Sequence, residues 1–135
     1  MTRLWFLGVS MVAALLALGG CGSGGNTPAA SATAHGGGSV VFTGDITGTW
    51  SKAGDTSEST CGANKAEVHI MGAAEGDEGD LTVKSDGSVF LDAEKYGDFT
   101  AASGGTFHAN TGFDINSDIA TARGKTAHVQ GALNC

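Results

Sequence analysis

The groups in this 135-residue chain that could do chemistry are three cysteines, four histidines and fourteen acidic side chains, and their spacing limits what they can do. Cys21, Cys61 and Cys135 form no Cys-x-x-Cys pair, and no histidine stands at zinc-ligand spacing from any of them. His69, His108 and His128 each fall on the polar phase of an alternating segment. Three histidines on neighbouring strands could bind zinc or copper, although solvated surface histidines are the commoner arrangement. Asp114-x-Asn116-x-Asp118 has the oxygen spacing that begins a calcium loop, which makes these three the candidate metal ligands. Ile119, however, stands where that loop needs glycine for its sharp turn, and Lys125 where it needs a bidentate glutamate. Asx-turn chemistry accounts for the same residues without an ion. The run from Glu75 through Asp77 and Glu78 to Asp80 reads as a solvated acidic turn. Gly124-Lys125-Thr126 looks like the tail of a phosphate loop, but Ile119 occupies the position of its first glycine. There is no Gly-x-Ser-x-Gly nucleophile elbow. No catalytic residue and no cofactor is expected.

Cys21 takes its meaning from what precedes it. Arg3 is the sole charged side chain before Asp45, and Leu4 to Leu18 is apolar apart from Gly8 and Ser10. As a helix that run would span roughly 23 Å at ~1.5 Å per residue, short of a ~30 Å bilayer interior, and it has the length of a signal-peptide core. It ends in Leu18-Gly19-Gly20-Cys21: a branched apolar residue, two small residues, then cysteine. This resembles the bacterial lipoprotein signal. The resemblance implies cleavage before Cys21 and a diacylglycerol thioether on its sulfur. Two or more acyl chains then hold the protein firmly to a membrane, where a single chain would be marginal.

The remaining composition bounds the partners. The formal charge is −7, and removal of residues 1–20 takes Arg3 with it. An acidic domain of this kind is not expected to bind nucleic acid or an anionic bilayer through its own surface. Outside the cytoplasm, Cys61 and Cys135 are an even pair where disulfides persist. Joined, they would close a long loop worth roughly 4 kcal/mol in the chain-entropy account. Two free thiols or a shared metal are the alternatives.

Apart from Cys21, Asn26 and His35, residues 21–39 are glycine, serine, threonine and alanine with a single proline, and they offer no large apolar side chain to bury. They read as a flexible tether with a reach of roughly 23 Å. Thr27, Ser31 and Thr33 beside Pro28 are candidate O-glycan acceptors. From Val40 to Cys135 the pattern is that of strands. Ile46, Gly48 and Trp50 alternate with Thr47, Thr49 and Ser51; Ala66, Val68 and Ile70 with Glu67, His69 and Met71; Ala127 and Val129 with Thr126, His128 and Gln130. The only helical candidates are residues 92–96 and 118–123. In the hairpin around Ser85-Asp86-Gly87, a three-residue turn pairs Val83 with Val89 and Leu81 with Leu91. A two-residue turn would mix the faces. Together these signs predict an all-β domain, a small antiparallel sandwich or open barrel with one disulfide. Phe42 is expected at the sheet edge. The modest store of large apolar side chains argues against a large ligand cavity.

Ile46-Thr47-Gly48, Asn64, Val68-x-Ile70-x-Gly72 and Thr111-Gly112-Phe113-Asp114, followed by alternating residues up to Cys135, stand in an order that resembles the mycobacterial 19 kDa lipoprotein antigen family. The middle, residues 73–105, is shorter than that pattern, which leaves the strand count open. The resemblance implies a surface-exposed lipoprotein, open to glycosylation, whose acylated terminus is sensed by host receptors; the chain is expected to be a monomer. It brings no catalytic residues. The expected role is that of a lipid-anchored, non-enzymatic envelope protein with a protein partner in the envelope or on a host. The alternative is an envelope carrier of a small ligand, calcium or another metal.

Overall fold

The computed structural model describes residues 38–54 and 59–135. The signal segment, Cys21 and the tether up to residue 37 lie outside the described residues. Among the described residues there are ten strands and no helix. They are β1 (Ser39–Gly44), β2 (Gly48–Lys52), β3 (Thr60–Cys61), β4 (Lys65–Met71) and β5 (Glu78–Lys84), then β6 (Val89–Ala93), β7 (Gly97–Ala101), β8 (Gly105–His108), β9 (Gly112–Ala120) and β10 (Thr126–Asn134).

Alternation decides which face each strand buries. Val40 and Phe42 of β1, Ala66, Val68 and Ile70 of β4, Leu81 and Val83 of β5, and Val89 and Leu91 of β6 all point inward and are buried. The residues between them mostly face solvent or lie half-buried, as period-two patterning requires of a sheet with one wet face. Phe99, Phe113, Ile115, Ile119, Val129 and Leu133 complete one continuous core around Trp50.

The sheet closes on itself. Its neighbours run β1–β2–β4–β5–β6–β7–β9–β10 and back to β1, an eight-stranded antiparallel barrel. The expectation of an all-β antiparallel fold with a disulfide holds, and of the two architectures it is the barrel, in closed form. Two of its staves are interrupted. β4 pairs β2 at Lys52 and Ser51 but pairs β3 nearer its own start. β9 pairs β8 over Gly112–Ile115 and meets β7 only at Thr100↔Ala120. An eight-stranded barrel has an interior just wide enough for side chains, and here the buried apolar residues form one cluster. Closure also brings backbones close together. At Gly131 of β10, φ is 148° and an added Cβ would lie 2.3 Å from the Ser39 carbonyl oxygen, so a side chain there would block the bend onto β1.

Two expectations are corrected. Phe42 is not at an edge: it is 1% exposed and packs edge-on against Trp50, with ring centroids 5.0 Å apart. A closed barrel leaves β1 neighbours on both sides, so its inward residues are core. Neither helical candidate is a helix. Residues 92–93 and 118–120 end strands β6 and β9, and residues 94–96 and 121–125 are turns. Isolated helical turns carry the full nucleation cost, whereas here the ladders continue through Asp118, Ile119 and Ala120.

The β5–β6 hairpin has the predicted register, with Val83 opposite Val89 and Leu81 opposite Leu91. The Gly87 N–H donates to the Lys84 carbonyl at 2.9 Å, and Gly87 has φ 82°. Gly87→Ala is therefore expected to cost about 1 kcal/mol or more, read from the midpoint of a denaturant melt; an unchanged midpoint would contradict the turn assignment. The Ser88 hydroxyl (2.6 Å) and backbone N–H (2.9 Å) both donate to Asp86, and these bonds hold its carboxyl below its ordinary pKa of 3.8. The folded state thus favours the ionised form. The resulting stability is fully present above the unfolded value and is lost as pH falls through the lower folded one. Asp86→Asn should lower stability near neutrality, and the gap from the parent should shrink progressively in melts as pH falls below the ordinary value of 3.8. A gap independent of pH would contradict that linkage.

Candidate functional site

The two ends of the barrel differ. At one end β10 runs out, β9 begins, and β1 receives the chain from upstream. Here Cys61, at the end of β3, is bonded to Cys135, with Cα atoms 5.7 Å apart across 74 positions of sequence. The β8–β9 turn is clamped beneath the bridge: the Asn110 N–H donates to the Gly62 carbonyl and the Cys135 N–H to the Thr111 carbonyl, both at 3.0 Å. The disulfide joins the β3–β4 side of the barrel to the β9–β10 side.

The candidate metal ligands are not in a loop. Asp114, Asn116 and Asp118 lie along β9, on its outward phase, and form ladder pairs with Ala132, Gln130 and His128. An extended strand holds alternate side chains too far apart to converge on one ion. Asp114 and Asp118 are engaged separately. Asp114 Oδ2 lies 2.7 Å from His108 Nε2, and Asp118 Oδ1 lies 2.7 Å from His128 Nδ1. His69 Nδ1 lies 2.9 Å from Asp80 Oδ1. The three histidines therefore stand apart, each beside its own aspartate. Among the described residues no group of three His, Cys, Asp or Glu side chains could hold a metal ion.

The opposite end carries polar structure that the sequence did not reveal. Asp77, expected in a solvated turn, is buried. Its Oδ1 accepts from the Tyr96 hydroxyl at 2.8 Å and lies 3.5 Å from Lys95 Nζ. The loop that carries Asp77 is pinned by the Gly72 N–H donating to the Asp77 carbonyl at 2.6 Å. The Tyr96 hydroxyl and the Asp77 carboxylate beside Lys95 push its ammonium above the usual pKa of 10.5. The Tyr96 ring also packs 6.2 Å from that of Trp50. The Trp50 indole Nε1 is buried without a hydrogen-bond partner, and Gly72 lies against it, where an added Cβ would come within 2.8 Å.

Beside Tyr96 the barrel seam opens. β7 and β9 share the single pair Thr100↔Ala120, and β9 ends there, so they form no further pair toward this end. The gap is a groove of about 380 Å³ lined by Tyr96, Gly97 and Asp98 on the β7 side and by Thr121, Ala122, Arg123 and Lys125 on the β9–β10 side. The Gly124-Lys125-Thr126 segment belongs to this turn. The Thr121 N–H donates to the Lys125 carbonyl and the Gly124 N–H to the Thr121 carbonyl, with φ 86° at Gly124. The glycine serves the hairpin turn. Asp98 is far in sequence from Arg123 and Lys125, and all three sit in turns or at a strand start, so no motif marked them. The one legible sign was the pairing of Arg123 and Lys125 in a chain with few basic residues.

Tyr96→Phe should cost about 1–2 kcal/mol, because it removes a donor from a buried carboxylate. A urea midpoint shift at unchanged slope would show this; no shift would mean that Lys95 alone satisfies Asp77. Compared with protein-family models, with curated proteins and with solved structures, the chain matches none.

Proposed function

We propose that this protein is a lipid-anchored, non-enzymatic lipoprotein of the cell envelope, acylated on Cys21 and carrying its barrel outside the cytoplasm. The observation that carries the reading is Leu18-Gly19-Gly20-Cys21 at the end of an apolar run, followed by a glycine-rich spacer that stops where β1 begins. The Cys61–Cys135 disulfide supports it, since such bonds persist in oxidising compartments. The topology supports it too. The chain enters the barrel at Ser39, at the disulfide end, so the end with Tyr96, Arg123 and Lys125 points away from the attachment. The similarity to the mycobacterial 19 kDa antigens favours a surface role, with the acylated terminus open to a host receptor.

The second reading, a small-ligand carrier, draws on the seam groove rather than on the apolar interior. Metal carriage draws no support from Asp114, Asn116 and Asp118, which the strand holds apart.

Cys21→Ala in the full chain tests the anchor. Cells fed radiolabelled palmitate should label the parent and not the variant, and the variant should remain as an unprocessed precursor or leave the membrane fraction. Equal labelling of the variant would overturn the assignment of Cys21. Each buried CH₂ contributes about 0.8 kcal/mol to membrane attachment, so loss of the acyl chains removes a hold that an acidic domain does not replace.

A further inference from the structure

The seam groove sets opposite charges on facing walls without joining them. Asp98 stands on the β7 wall and Arg123 and Lys125 on the β9–β10 wall. Among the described residues neither cation has an ion-pair partner, whereas Lys65 is matched to Glu67 and Lys95 to Asp77. Asp98 is crowded by its own sign. Asp92 lies directly opposite it on β6, and Asp80 lies opposite Asp92 on β5. Like charges in such cross-strand positions disfavour the folded state, and a cation arriving at Asp98 would relieve the row. Between the walls, the edge of β7 from Gly97 to Phe99 has no ladder partner on the β9 side. Tyr96, held by its hydroxyl bond to Asp77, also lines the groove beside this edge.

From this arrangement we propose that the groove binds a free dipeptide as its zwitterion, with the ammonium on Asp98, the carboxylate on Arg123 and Lys125, and the peptide group on the open edge of β7. The charged ends would make charge-assisted hydrogen bonds, the strongest the site can offer. The peptide group would add to the sheet as a strand does. The volume of about 380 Å³ admits a dipeptide with small side chains. An anion alone would leave the aspartate row unrelieved, and a cation alone would leave Arg123 and Lys125 unmatched. The site lies at the end of the barrel away from Ser39, open to solutes that reach the domain.

Titration of the full chain in detergent with alanyl-alanine, followed by amide NMR shifts, tests this. Saturable shifts are expected at residues 96–98 and 121–125. N-acetylation of the dipeptide and amidation of its carboxylate should each weaken binding about tenfold or more. In Arg123→Gln/Lys125→Gln the penalty for amidation should vanish, and in Asp98→Asn the penalty for acetylation should vanish. All of these side chains are exposed, so Arg123→Gln/Lys125→Gln should melt with the parent, and Asp98→Asn at or slightly above it because the aspartate row is relieved. Lack of saturation by tens of millimolar, shifts centred elsewhere, or equal binding of capped and uncapped dipeptide would each overturn the proposal.

Discussion

Strand β10 pairs with β9 from Thr126↔Ala120 to Asn134↔Gly112 and with β1 from Ser39↔Ala132 to Gly44↔Ala127. These two ladders join the last strand of the chain to the first, and most of the molecule depends on that closure. An open sheet of this size would leave two edges of unpaired N–H and C=O groups and would need a second layer to cover its apolar face. Closed, the sheet is its own second layer. Phe42, Trp50, Phe99 and Phe113 are all buried in the interior, and a store of large side chains too small for a roomy sandwich is enough for a narrow barrel.

Closure also divides the labour between the two ends. The disulfide end joins three segments distant in sequence, β3, the β8–β9 turn and the end of β10, through one covalent bond and two backbone hydrogen bonds. It is also the end where the chain enters the barrel at Ser39. The other end has no such bond. It relies on Asp77, which draws Tyr96 and Lys95 onto the mouth of the barrel. A buried carboxylate needs such partners, because an uncompensated charge there would be costly. Next to it lies the weakest ladder of the barrel, the single β7–β9 pair, and it is there that the groove forms.

The outer surface shows how an acidic domain arranges its charge. Three histidines each sit beside an aspartate on a neighbouring or nearby strand, at 2.7 to 2.9 Å. The row of Asp80, Asp92 and Asp98 runs across three adjacent strands, with His69 opposite Asp80 at one end and the groove at the other. These contacts are set by ladder register, so they join residues that look unrelated along the chain.

The sequence alone determined the period of two, and with it which residues are buried along β4, β5 and the first half of β10. It also determined the Ser85-Asp86-Gly87 turn, because one register of that hairpin matches apolar to apolar, and it offered Cys61 and Cys135 as a pair on the proposed reading that Cys21 carries the lipid. These are local facts: alternation, turn chemistry and residue count act over a few positions or over none. Tertiary structure decided the rest. Whether the sheet closes depends on a ladder between the two ends of the domain, and that choice moved Phe42 from an edge into the core. Asp77 became a buried acceptor because the β6–β7 turn delivers Tyr96 and Lys95 to it from another strand pair. Asp114, Asn116 and Asp118 share the spacing of a calcium loop, but spacing along a chain fixes a distance in space only once the backbone is known. In β9 the backbone is extended, and the three side chains stand in file rather than around a centre.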